Sequence, residues 1–545
     1  MTRMRSGTIF AVAALLLCVP VAGAQDLRLA KELVVPPPPP EATGRSLTLK
    51  GEATLEDVLR RALSANPGLV VQGLQVKAEH GNVDQALGAY ETEFTLNYSR
   101  EAGRRPLRRQ DVTTFATAGS PESRAESVNN SELRAGVTRN LRSGAELEAT
   151  GTVNSAGSTL NEASGTPRQT TAGLRFGIRV PLLRNAGGVQ NETALRAREI
   201  ERDASIEDLL QTSSTTVLNV VQAYWELATR LLRAAILKES EKRSGDLVTE
   251  IEKLVAADQI PGAELDLAEA SAGEKRASRV AEEQALQAAW NNLGRLLQAD
   301  TVDDVLGAAL KTDTLPEVDP RAVDFAGRMQ ARHKDALEKR ADVRAARLRE
   351  RAAHIQVLAA EDTLKTQLDF VGSLNTSGLR EGSNGPNFDL SRPFPVLNLG
   401  FQVRMPLEST AARGLVTTRQ AAHRQSVVRL HEAEGNVGSA LVTASSALRR
   451  IVRRHEDTAA AVVRYEQAVK NEYVKRKLGL ATLIDVITVQ DRLDGARLQL
   501  LQLRQEYAVG VAQILFDAGE LVGREAESYR VNSVLLDRAG FAGIR

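Results

Sequence analysis

The sequence predicts an α+β membrane protein in which a β-barrel, shared between several chains, is continued by long α-helical coiled-coil rods, the whole built from two internal repeats. Three observations predict it. Several runs of about ten residues alternate apolar and polar side chains, the length and period of a tilted membrane strand. Two stretches of some 65 to 70 residues are helical from end to end, with apolar seams at alternating spacings of three and four. The same order of elements occurs twice within 545 residues.

Composition narrows the alternatives. The chain carries 70 Lys and Arg against 69 Asp and Glu, a formal charge of +1, so no global field recruits nucleic acid or an anionic surface. Aromatic residues are 4% and charged residues 26%, a balance that suits extended helices better than the three or four globular domains that length alone suggests. Residues 1–24 read as a secretory signal peptide: Arg3 and Arg5 precede an apolar run over 9–21, and Ala22-Gly23-Ala24 supplies a small-residue cleavage site. Cys18 is the single cysteine and lies inside that run, so disulfides and cysteine-based metal or nucleophile chemistry are excluded from the mature chain. Leu17 is too bulky for a lipoprotein cleavage box, and no lipid anchor is expected. No further stretch of about 18 apolar residues follows, so a membrane crossing requires a closed barrel. Residues 25–51, with a polyproline run over 36–40, form a Pro-rich N-terminal linker.

The repeat is found by sliding the chain on itself. Ala62-Leu63 falls on Ala336-Leu337 at an offset of 274, Val180-Pro181-Leu182 on Met405-Pro406-Leu407 at 225, and Asp266-Leu267 on Asp485-Val486 at 219. The halves are 52–300 and 322–520, with a linker at 301–321 and a C-terminal tail at 521–545. The fall of 49 between the first two offsets marks an insertion in the first half.

Each half reads as a helix, a strand region, a very long helix, a break and a medium helix. In the first half these helices span 55–89, 189–258 and 263–299; in the second, 322–364, 413–478 and 482–518. The helix over 189–258 is a rod of about 105 Å. The two medium helices of the first half, placed end to end, match it, which predicts one continuous helix beside one composite helix. Leu210, Ser213, Val217, Val220, Tyr224 and Leu227 mark one seam; Val486, Leu493, Leu503, Tyr507 and Ile514 mark another. Strands are read at Phe94-Thr95-Leu96-Asn97-Tyr98, over 174–180 and over 397–405. The insertion adds a hairpin, alternating from Leu133 to a tight Arg142-Ser143-Gly144 turn and away again. That makes four strands in the first half and two in the second. Six strands cannot comfortably close a pore, so several chains must share one barrel.

A duplicated, exported chain of this kind resembles the TolC-type outer-membrane efflux proteins. The resemblance is carried by Thr54-Leu55-Glu56-Asp57-Val58-Leu59 through Asn66-Pro67, by Val180-Pro181-Leu182-Leu183, by Gln222-Ala223-Tyr224-Trp225-Glu226-Leu227, and by Gly479-Leu480-Ala481-Thr482-Leu483-Ile484-Asp485-Val486. It implies a homotrimer with its barrel in the outer membrane of a Gram-negative bacterium and its helices forming a periplasmic tunnel. Such a channel docks on a periplasmic adaptor protein and an inner-membrane pump or ABC exporter, and exports small molecules or polypeptides as the exit duct of a tripartite efflux or type I secretion system. The best-known members give four strands per protomer, against six here; either the barrel is wider or the extra hairpin folds outside it.

The resemblance also implies closure at the periplasmic tip, where acidic residues near the helical turns form rings with basic partners. The turns correspond to 257–262, with Pro261 and Gly262, and to 477–481, with Gly479. Asp485 matches the family's acidic position and Asp266 is its repeat equivalent; Arg476 and Lys477, with Lys475, stand where a basic partner can be supplied. A second family acid corresponds to Thr488 and a family basic residue to Ala481, which departs from the pattern. Asp266 reads equally well as a helix-start residue favoured by the dipole, and the three basic residues as a solvated or adaptor-facing surface.

Enzyme chemistry is not legible. The six histidines show no metal-ligand spacing, and neither a phosphate-cradling loop nor a Gly-x-Ser-x-Gly elbow occurs, so no catalytic residue, cofactor or metal is expected. The basic run over 104–109 reads as an external loop facing anionic lipopolysaccharide rather than as a nucleic-acid patch, and Arg449, Arg450, Arg453 and Arg454 as a solvated helix face. The rival reading from another class is an exported trimeric coiled-coil structural or adhesin protein, which needs no membrane-length strands; a periplasmic helical adaptor is a second rival.

Overall fold

The computed structural model describes residues 54–109, 111–113, 124–163, 165, 168–298, 315–382, 394–525 and 528–531. The expected signal peptide, Cys18, the Pro-rich linker, and most of the 301–321 linker and the 521–545 tail lie outside the described residues.

The first half runs α1 (Leu55–Ala65), α2 (Pro67–Leu87), β1 (Thr92–Pro106), β2 (Ala125–Asn140), β3 (Glu146–Ser158), β4 (Gln169–Pro181), α3 (Val189–Ala256) and α4 (Ala263–Leu297). The second runs α5 (Ala322–Ala331), α6 (His333–Lys339), α7 (Ala341–Asp362), β5 (Gln367–Glu381), β6 (Phe394–Arg404), α8 (Thr410–Lys477) and α9 (Leu483–Asp517), followed by a small hairpin of β7 (Val522–Glu525) and β8 (Ser528–Val531). Both long helices contain 68 residues and both medium helices 35.

Two expectations are corrected at the first helix of each half. The helix expected over 55–89 breaks at Asn66, whose backbone is extended at φ −67°, ψ 122°. The proline is the cause: its ring pushes the preceding residue out of the helical region, and Pro67 then starts α2 at a position whose N–H is not needed. The Asn66 side chain caps the new helix, accepting from the Gly68 N–H at 2.8 Å. The helix expected over 322–364 is likewise three pieces, α5, α6 and α7. Its second break is at Arg340, with φ −67° and ψ 126° and no proline after it. Arg340 stands 274 residues after Asn66, so the two breaks share both a backbone conformation and the offset read from the sequence.

The strands form one antiparallel sheet in the order β1-β2-β3-β4-β5-β6. The inserted hairpin, β2 with β3, is inside this sheet: Phe94 faces Val137, Val137 faces Ala149, and Ala149 faces Phe176. Its turn is closed by the Leu141 N–H donating to the Ala145 carbonyl at 2.8 Å. It is also fixed to the base of α3. Gly188, at φ +72°, passes so close that an added Cβ would lie 1.8 Å from the Arg142 carbonyl oxygen, an approach open only to glycine.

Below the sheet, α3 is the spine. α2 packs along one part of it and α4 along the other, with α1 between them where Arg61 Nε donates to the Leu297 carbonyl at 3.5 Å. This is the composite helix expected from the lengths. On the other side of α3, α7 and α9 lie between α3 and α8. The largest core sits where α1, α3, α4, α8 and α9 meet, around Leu59, Leu227, Leu293, Leu448 and Ile514. Seam residues Leu210, Ser213, Val217, Val220, Tyr224 and Leu227 are all buried, and the Ser213 hydroxyl is satisfied by donating to the Leu209 carbonyl at 2.8 Å. The Tyr507 hydroxyl accepts from the Asp319 N–H at 3.4 Å in this core, where burial pushes its pKa up to about 12.

Candidate functional site: a two-faced sheet above a helical tip

The sheet is two-faced because strand side chains alternate and the five registers run without interruption. One face carries aligned apolar rows: Phe94, Val137, Ala149, Phe176, Leu374 and Leu397 form one, and Tyr98, Leu133, Val153, Ala172 and Gly378 another. The opposite face is polar, with Thr95, Gly136, Thr150, Arg175 and Asn375 in register. The apolar rows are not covered by the chain itself: Phe94 is 64% exposed, Phe176 50% and Phe401 70%. A face of this size left to water would be strongly unfavourable. The edge strands β1 and β6 are exposed along their whole length on both faces. Long unpaired edges of this kind call for another strand to bond to.

At the far end of the rods, α3 turns into α4 and α8 into α9. Leu247 and Ile251 of α3, Ala268 of α4 and Leu483 of α9 form a small buried cluster that binds the three helices at the tip. Further up, buried carboxylates lace the helices together. Glu282 of α4 accepts from Arg230 at 3.1 Å and Arg233 at 3.3 Å of α3; Asp494 of α9 accepts from Ser240 at 2.5 Å and Arg243 at 2.7 Å of α3.

Both tip turns close with the same bond, from the third residue past the helix to the carbonyl five residues back: Gln259 N–H to Leu254 at 2.9 Å, and Leu480 N–H to Lys475 at 2.9 Å. The left-handed residue this demands is Asp258 (φ 55°) in the first turn and Gly479 (φ 73°) in the second. Pro261 and Gly262 end the first turn, and α4 starts without a side-chain cap. α9 starts with a capping box: the Thr482 N–H and hydroxyl donate to Asp485 Oδ2 at 2.9 and 2.6 Å, and the Asp485 N–H donates back at 3.4 Å. The hydroxyl bond, with the backbone one, holds the Asp485 carboxyl below its ordinary value.

The residues read from the sequence as gate candidates are therefore placed differently. Asp485 is the third residue of its helix and bonds its own cap; Asp266 is the fourth of its helix and exposed, one step beyond the position from which a box can close. Arg476 does not meet either of them but pairs with Glu250 of α3 at 3.5 Å, and Lys477 is exposed. The sequence does not reveal Glu250, Glu282 and Asp494, whose partners lie on other helices. Leu478, Leu480 and Ile484 crown the second tip and are 69%, 74% and 54% exposed.

Among the described residues no helix is long and apolar enough to cross a membrane and no group of three or more potential metal ligands occurs. Residues 333–519 match the family model described as outer membrane efflux protein. No curated protein matches the chain by sequence. Among solved structures, the outer membrane protein VceC from Vibrio cholerae is similar in fold, with TM-score 0.60 and 17% identity over 85% of this chain and 96% of that one. A membrane protein from Pseudomonas aeruginosa matches with TM-score 0.61 and 16% identity over 87% and 93% of the two chains, and the Campylobacter jejuni CmeC outer membrane channel with 0.58 and 13% over 86% and 85%. The resemblance to the TolC-type outer-membrane efflux family thus holds in the sequence of residues 333–519 and in the fold over 85–87% of the chain. That family is one of channels, not enzymes.

Proposed function

From that family and fold, we propose that the chain is one third of a homotrimeric outer-membrane channel, the exit duct for small molecules or polypeptides delivered by a periplasmic adaptor and an inner-membrane pump or ABC exporter. The observation that carries the reading is the open sheet: six strands with one uncovered apolar face and two bare edges, standing above rods of 68 residues. Pairing β1 of one copy with β6 of the next satisfies both edges and turns the apolar face to lipid. Three copies give a barrel of 18 strands. At about 4.8 Å between strands and a tilt of about 40°, its backbone diameter is about 36 Å, against about 24 Å for 12 strands. The inserted hairpin widens the mouth, because it lies in register within the sheet.

Conduction is passive and the partner supplies the energy. The second tip, with its exposed leucines, suits an adaptor; carboxylates brought threefold around a narrow axis, Asp485 and Asp266 among them, favour cations and resist closure until cations or basic partners such as Arg476 and Lys477 offset them. The duplication of the halves, supported by the matching breaks at Asn66 and Arg340, accounts for the two similar tips in each copy. The test is heat-modifiable migration of the purified full chain together with single-channel current in planar bilayers: a trimer that dissociates on boiling and conducts is expected. A chain that remains a water-soluble monomer with no current would overturn the proposal and favour the structural coiled-coil reading.

A further inference from the structure

The lipid-facing side of the sheet divides its charges in a way the channel reading does not require. Every Asp and Glu of β1–β6 lies on the polar face, among them Glu93, Glu101, Glu132, Glu148 and Asp369. The apolar face carries four charges, all arginines, and none within the apolar rows. Arg139 lies level with Thr92, near the helices; Arg100, Arg104 and Arg380 lie at the opposite ends of their strands. Thr92 and Arg100 are eight residues apart, about 27 Å along a strand and about 21 Å in height at the tilt above. That approaches the apolar band of about 25 Å that an outer-membrane barrel presents. The arginines therefore stand at the two levels where headgroups begin.

The end away from the helices is built as a surface. The last apolar row, Tyr98 to Gly378, is followed in register by Arg100, Ser131, Ser155, Thr170 and Arg380. Arg100 Nε donates to Asn129 Oδ1 at 3.3 Å. From the other side Arg168 donates to the Asn129 carbonyl at 3.0 Å and to Ser155 Oγ at 3.0 Å. Gly157 makes the room, since a Cβ there would lie 3.3 Å from Arg168 Cγ. Two guanidinium groups thus converge over one asparagine on the lipid side, with Arg104 and Arg380 flanking them. On the polar face Arg105 is paired with Glu101. When β1 of one copy meets β6 of the next, Arg380 of that neighbour stands two strands, about 10 Å, from β1, so the belt continues around the barrel.

We propose that this belt, Arg100, Arg104, Arg168 and Arg380, binds the phosphate groups of the phosphorylated lipid in the outer leaflet. Guanidinium forks match phosphate oxygens bidentately, and hydroxyls and amides beside them supply further donors. The inference rests on the barrel reading. To test it, the full-length trimer is reconstituted in phosphatidylcholine vesicles with and without lipopolysaccharide, and the temperature of heat dissociation and the lipid retained through detergent extraction are measured. Phosphatidylglycerol vesicles and inorganic phosphate serve as comparisons. Lipopolysaccharide is expected to raise the dissociation temperature and to be retained. The variant Arg100→Gln/Arg104→Gln/Arg380→Gln alters exposed side chains and is expected to insert and conduct unchanged in phosphatidylcholine. Its lipopolysaccharide affinity is expected to fall about fivefold per arginine, from about 1 kcal/mol per basic residue at an anionic surface, and thus on the order of a hundredfold in all. Equal retention by variant and wild type, or an equal shift from inorganic phosphate alone, overturns the proposal. Failure of the wild type to insert in phosphatidylcholine overturns the barrel reading itself and is seen before any lipid is compared.

Discussion

The two helical hairpins, α3 with α4 and α8 with α9, have the same lengths and are fastened at opposite ends. The first is fastened in its shaft, where Glu282 is buried between Arg230 and Arg233. Its tip turns through a non-glycine left-handed residue, Asp258, and enters α4 uncapped. Between α8 and α9 the second has half-exposed shaft pairs, Arg497 with Glu466 at 2.7 Å and Arg454 with Glu506 at 3.6 Å, its buried Asp494 holding α9 to α3 rather than to α8, while its tip has Gly479 where the backbone demands it and a complete capping box. Two hairpins of equal length thus pair a loose tip with a clamped shaft and a firm tip with a looser one.

The largest expected effect falls on the shafts. Glu282→Ala leaves Arg233 without this acceptor and Arg230 with Glu226 at 3.8 Å, and is expected to destabilise the helical region by about 2 kcal/mol, whereas Arg497→Ala is expected to cost under about 1 kcal/mol. Thermal melting followed by helical circular dichroism compares them, and equal losses would erase the distinction. Next, Gly479→Ala places a Cβ in a left-handed conformation and is expected to cost about 1–2 kcal/mol locally, while Asp258→Gly relieves the same strain and firms the first tip by up to about 1 kcal/mol. Amide hydrogen exchange at the two turns reads both, and the signs should be opposite.

Thr482→Ala removes the cap and is expected to lower protection of the first amides of α9 about fivefold, or about 1 kcal/mol. Paired with Asp485→Ala it also separates two roles. If Asp485 only caps its helix, both variants conduct with unchanged ion preference; a gate carboxylate loses cation preference only in Asp485→Ala, measured by reversal potential in a salt gradient. The smallest effect is the pH dependence of the second tip. The Asp485 carboxyl is held below its ordinary value of 3.8 by the Thr482 donors. Its contribution is therefore fully present above about pH 4 and lost as pH falls through the lowered value. Protection at 483–486 should fall on acidification into that range while that at 263–266 does not follow it.

The period of each element was legible because each segment reveals it alone. Alternation over Phe94 to Tyr98, the Arg142-Ser143-Gly144 turn and the seams from Leu210 to Leu227 involve near neighbours, and the structure has a strand, a turn and buried stripes there. The break at Asn66 was also in reach, since Pro67 forbids the preceding helical conformation. The break at Arg340 was not: no proline or glycine marks it, and what surrounds it is tertiary, with Gly519 passing so close that an added Cβ would lie 2.8 Å from the Arg340 nitrogen. Asp266 and Asp485 looked equivalent in sequence, yet a one-residue difference between the turns puts only the latter in a capping position.

By itself the sequence determined where most of the helices lie and that the strands read near Phe94, Phe176 and Phe401 have one apolar face, because periodicity and local sterics are written within ten residues or so. Only the tertiary structure decided the registers that align Arg100 with Thr170 and Arg380, the partners of Glu282 and Asp494, and the opposite fastening of the two tips. Those depend on which residue of one element meets which residue of another up to hundreds of positions away, and such meetings are selected by packing rather than by the local pattern.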